Sequence, residues 1–81
     1  MLDIEEVLID KIKNEVLDQP GRKLSSSDSL IRSGLIDSFH LVDLALMIEE
    51  VFHVKLEDWE LNADYFDTIE DLAVLIKTRS N

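Results

Sequence analysis

The chain has 81 residues, a formal net charge of −10 from 18 acidic against 8 basic side chains, and no cysteine. This length makes one small domain, residues 1–81, with a modest core. The charge argues against nucleic-acid binding and anionic membrane surfaces, and the missing thiols exclude disulfides and thiolate zinc sites.

Residues 2–17 read as a helix. Ile4, Leu8, Ile12 and Val16 recur every four positions, with acids and lysines on much of the other face. Pro20-Gly21 is the expected stop. Residues 18–34 read as a long loop with a polar Ser25-Ser26-Ser27-Asp28-Ser29 run, pinned by Leu30 and Ile31 dipping into the core. A loop this long in so small a domain is often functional.

Residues 38–53 predict a second helix. On a wheel, Leu41, Ala45, Ile48 and Phe52 share the expected core side, with Leu44 and Val42 beside them. His40, Asp43, Met47 and Glu50 are placed opposite, with Phe39 and Leu46 at the edge of that outward side. Val54-Lys55-Leu56 is expected to be briefly extended, Trp59 and Leu61 to act as anchors, and 63–66 to form one short helical turn. Thr68-x-x-Asp71 resembles a capping box and opens a last helix, with Ile69, Leu72, Ala73 and Ile76 on one face. The pattern predicts an all-α bundle of three main helices and one short one. The core face of each helix is thereby committed, so a monomer is expected.

No apolar run approaches the roughly 20 residues of a membrane span. Met1-Leu2-Asp3-Ile4-Glu5-Glu6 lacks a signal peptide's basic start. A cytoplasmic location is expected. His40 and His53 bring no further metal-binding motif with them, and no metal site is expected. No histidine stands where it could serve Ser38 as a base, because residues two apart on a helix do not face each other. No catalytic residue is expected.

Ser38 is the residue with the most chemistry around it. It opens the second helix, where unpaired N–H groups and the positive end of the dipole favour a phosphate. Asp37 beside it could help hold Mg²⁺ during phosphoryl transfer. Gly34 allows a tight approach of chain or partner. Asp and Ser are also ordinary cap residues, but Phe39 and Leu46 are large apolar residues among carboxylates, the pattern of a docking face.

Gly34-Leu35-Ile36-Asp37-Ser38-Phe39, with Leu41-Val42-x-Leu44 and Ile48-Glu49-Glu50-x-Phe52, resembles the phosphopantetheine attachment site of acyl and peptidyl carrier proteins. The resemblance extends over essentially the whole chain, including its acidity, long first loop and closing helix. It implies an acyl-carrier-protein-like four-helix bundle. A phosphopantetheinyl transferase would attach 4'-phosphopantetheine from coenzyme A to Ser38, and the arm would hold acyl or aminoacyl groups as thioesters. It implies further that Asp37 assists the Mg²⁺-dependent transfer. Phe39, Asp43, Leu46, Glu49 and Glu50 would meet basic docking faces on a cargo-loading ligase or acyltransferase and on downstream biosynthetic enzymes. His40 stands where fatty-acid carriers are often acidic or polar. Gly-Leu-Ile-Asp-Ser is closer to stand-alone carriers of specialised biosynthesis than to housekeeping fatty-acid carriers. Fatty, polyketide, aminoacyl, D-alanyl and glyceryl cargoes stay open, and a cavity for cargo is expected between helices two and three, of a size the sequence does not fix. The competing reading is a non-covalent acidic helical adaptor that uses the same helix and keeps Ser38 as a cap.

Overall fold

The structure, a computed structural model, describes residues 3–80. It is all-α, as expected: helix α1 spans Ile4–Lys11, α2 spans Ser38–Phe52 and α3 spans Ile69–Arg79. Among the described residues there is no β-strand. Leu2, where the first helix was expected to begin, lies outside them.

Helix α1 does not stop at Lys11. It runs on as a π-helical segment over Ile12–Val16. The N–H of Leu17 donates to the Ile12 carbonyl at 2.8 Å and that of Gln19 to the Lys13 carbonyl at 2.7 Å. Leu8, Ile12 and Val16 are all buried. In an α-helix, apolar residues spaced strictly by four drift around the axis, and wider turns reduce that drift. The helix is stopped by Asp18, whose φ of 54° is left-handed, before Pro20-Gly21 is reached. Pro20-Gly21 therefore follows the stop rather than making it.

One carboxylate gathers much of the long connection to α2, beside a bond from the Glu70 N–H to the Ser26 carbonyl at 3.1 Å. Asp67, only 9% exposed, sits just before α3. It accepts hydrogen bonds from the Ser29 hydroxyl at 2.7 Å and from the N–H groups of Ile31 and Arg32, both at 2.9 Å. Burial pushes the Asp67 carboxyl up, but the donors of Arg32, Ser29 and Ile31 outweigh it and hold the group below its ordinary value. The N–H of Leu30 also donates to the Asp67 carbonyl at 2.6 Å. These bonds sink Leu30 and Ile36 fully into the core and leave Ile31 half-buried. Gly34 has a φ of 81°, and a Cβ there would meet nothing within 4 Å. Its role is the backbone conformation rather than close approach.

Helix α2 buries Leu41, Leu44, Met47 and Ile48. Two expectations are corrected here: Met47 points inward and Val42 outward. The buried set centres well round the helix from Val42, and Met47 lies at its margin. The helix ends at His53, left-handed at φ 59°, whose N–H returns to the Glu49 carbonyl.

Between α2 and α3, Val54 and Leu56 are buried and Lys55 is exposed, without pairing into a sheet. A 3-10 turn follows at Asp58–Glu60. The expected helical turn at 63–66 is a hydrogen-bonded turn in which the N–H groups of Tyr65 and Phe66 both reach the Asn62 carbonyl. Trp59, expected as an anchor, is 61% exposed. The anchor is its neighbour Glu60, fully buried and bound by both guanidinium arms of Arg79 from the last turn of α3. The Arg79 side chain holds the Glu60 carboxyl below its ordinary value. Thr68 caps α3 through the Asp71 N–H at 3.1 Å, as its sequence predicts. Asp71 answers to the Asp67 N–H, one residue before the box partner.

Candidate functional site

The outward side of α2 begins at its cap. The Asp37 carboxylate accepts the His40 N–H at 2.9 Å and faces His40 Nδ1 at 2.8 Å. An ionised carboxylate only accepts, so the imidazole proton sits on Nδ1. The His40 backbone donor above all, with the imidazole adding to it, holds the Asp37 carboxyl below its ordinary value. Asp37 therefore does the capping. Ser38, the first helical residue, is exposed, and its hydroxyl has no intramolecular partner among the described residues. His40 turns to Asp37 rather than to that hydroxyl.

Below Ser38 the exposed face divides into two adjoining stripes. At about 100° per residue, Val42, Ala45 and Glu49 fall within about 40° of Ser38. Phe39, Asp43, Leu46 and Glu50 form the second stripe beside it. Phe39 is 83% and Leu46 55% exposed, and Asp43, Glu49 and Glu50 are exposed with them. All seven residues singled out from the sequence thus lie on one side of α2 or at its N-terminus.

Where the sequence led to an expected cavity between helices two and three, the structure has a groove beside this side of α2. It has a volume of about 180 Å³. Val42, Ala45, Leu46 and Glu49 of α2 line one wall, and Lys55, Leu56, Asp58 and Leu61 line the other. The groove thus lies between α2 and the segment that follows it, while α3 lines none of it. Its signal in the sequence was Val42, an apolar residue three positions from Phe39 and four from Leu46, which belongs to the exposed side.

Among the described residues, no group of three or more His, Asp or Glu side chains is arranged to hold a metal ion. No helix among them is long and apolar enough to cross a membrane. The fold and face define an all-α domain with an acidic helix, a free serine at its head and a groove along its flank. No protein-family model matches the chain, and no curated protein matches it significantly.

Proposed function

We propose that this chain is a carrier protein of the acyl or peptidyl type, modified with 4'-phosphopantetheine on Ser38. The observation that carries the reading is the Ser38 hydroxyl: Asp37 takes over the capping, and the hydroxyl is left exposed at the head of the groove-bearing side of α2. The position suits a phosphodiester, since the helix dipole compensates its charge and no side chain has to be displaced.

Transfer forms a bond from Ser38 Oγ to the phosphorus that bears the pantetheine arm. The bond from that phosphorus to the nucleotide breaks, and the hydroxyl proton passes to a base of the transferase. Asp37 keeps one carboxylate oxygen on His40 and has the other to offer to Mg²⁺ on the transferase. When attached, the arm supplies a thiol that holds acyl or aminoacyl groups as thioesters. Phe39 and Leu46, ringed by Asp43, Glu49 and Glu50, offer basic partner enzymes apolar anchors within a complementary field. On this reading the 3-10 turn and the turn at 62–66 stand for the short member of a four-helix bundle. The carrier works as a cytoplasmic monomer without catalysis of its own, in a specialised biosynthetic pathway.

Intact mass tests this. The chain and Ser38→Ala are incubated with coenzyme A, Mg²⁺ and a broad-specificity phosphopantetheinyl transferase. The wild type gains one phosphopantetheine and the variant none. A folded wild type that gains nothing with several transferases sinks the reading and favours a non-covalent adaptor.

A further inference from the structure

A second exposed surface lies outside α2. Trp59 is 61% and Tyr65 47% exposed, with ring centroids 5.4 Å apart and planes at 73°, an edge-to-face pair. Each ring is next in sequence to a buried residue. Glu60, next to Trp59, is fully buried on Arg79, and Phe66, next to Tyr65, is 1% exposed. The Asn62 side-chain amide donates to the Trp59 carbonyl at 2.8 Å and its side-chain oxygen accepts the Asp64 N–H at 2.8 Å. The pair is therefore preorganised, so a partner would pay little ordering entropy for it.

Charge selects the partner. From 56 to 76 the chain has no lysine or arginine, and Arg79, which folds back onto this segment, is taken up by Glu60 with Glu57 close by, while Asp58 next to Trp59 and Asp64 next to Tyr65 stand exposed. A second copy of a chain carrying −10 would be repelled. An ammonium would satisfy the carboxylates alone. A guanidinium can also lie flat on the indole face while its edge meets a carboxylate.

We infer that Trp59 and Tyr65 form a docking surface for an arginine-bearing segment of a partner protein. The surface does not depend on modification of Ser38, and its test leaves that serine unchanged.

Trp59 is the sole tryptophan, so its emission reports on the surface. The full chain is titrated with a six-residue peptide of alternating arginine and leucine, and with lysine and glutamate counterparts. Trp59 emission and calorimetry are followed. The arginine peptide perturbs the emission and binds about fivefold or more tightly than the lysine peptide, and the glutamate peptide does not bind. Trp59→Ala and Trp59→Leu, followed by calorimetry with circular dichroism confirming their fold, each weaken the arginine peptide about tenfold and erase its advantage over lysine. Tyr65→Ala weakens it less. Equal binding of the arginine and lysine peptides overturns the inference, as does unchanged affinity in both Trp59 variants, because net charge would then explain the attraction. A concentration-dependent dimer that Trp59→Ala abolishes also overturns it, in favour of a second copy.

Discussion

Asp37 and His40 close the N-terminus of α2 on each other: one carboxylate oxygen takes both the His40 N–H at 2.9 Å and the imidazole Nδ1 at 2.8 Å. The residue beside the candidate modification site is thus the structural one, and Ser38 is left structurally idle. Asp37→Ala should lower the thermal midpoint by a few degrees, as loss of a cap does. Ser38→Ala should move it by no more than about a degree. Thermal unfolding of the two variants side by side checks this, and a larger loss for Ser38→Ala would make serine the cap.

The Glu60–Arg79 pair joins a buried carboxylate to a guanidinium whose side chain is 35% exposed. Removing the cation strands the anion, whereas removing both ends does not. Arg79→Ala should cost about 2–3 kcal/mol in urea unfolding. Adding Glu60→Gln should recover part of that loss. Strict additivity of the two substitutions would show that they do not interact.

The same carboxylate sets an acid limit. Glu60 and Asp67 both titrate below their ordinary values in the folded chain. Between the unfolded and folded values the unfolded chain binds more protons, so stability falls with falling pH. Their contribution is complete above the ordinary carboxylate range, about pH 4. It is lost as pH drops from there through the folded values. Urea midpoints between pH 6 and 2 should show this acid limb, and Glu60→Gln should flatten it.

Asp67 serves three donors at once, on Ser29, Ile31 and Arg32. Asp67→Ala leaves them without their acceptor and should cost about 2–3 kcal/mol. Hydrogen exchange at the Ile31 and Arg32 amides should speed up well before global unfolding. Protection unchanged at both would mean that the loop is held by the burial of Leu30 and Ile36 and by the backbone bonds from Leu30 and Glu70, without the carboxylate.

The inward turn of Met47 and the outward turn of Val42 make opposite predictions for two apolar residues of one helix. Met47→Ala should cost about 2–4 kcal/mol, as truncation in a core does. Val42→Thr should lie within about 0.5 kcal/mol of the parent. Chemical denaturation distinguishes them, and the reverse ranking would restore the face read from the wheel.

What the sequence made legible was local. The extents of α2 and α3 follow from apolar spacing and from caps at Asp37 and Thr68, which act within three residues. The exposure of Phe39 and Leu46 was also readable, because they share a stripe with acids. Val42 was misread since being apolar does not fix direction, and Trp59 for the same reason. The Glu60–Arg79 and Ser29–Asp67 bonds span 19 and 38 residues, and no periodicity reports on a pairing made only by the finished fold. The cavity expected between helices two and three could not be sized for the same reason, since Glu60, within the segment of its second wall, is held by such a pairing.

That wall has a consequence for anyone handling the protein. Lys55, Leu56, Asp58 and Leu61 face α2 from a segment whose buried tether, Glu60, is fastened to the last turn of α3. A shortened version that omits this turn would keep Ser38 and the whole of α2. Its groove, however, would have one fixed side and one adrift, so binding measured on such a version would describe a different surface.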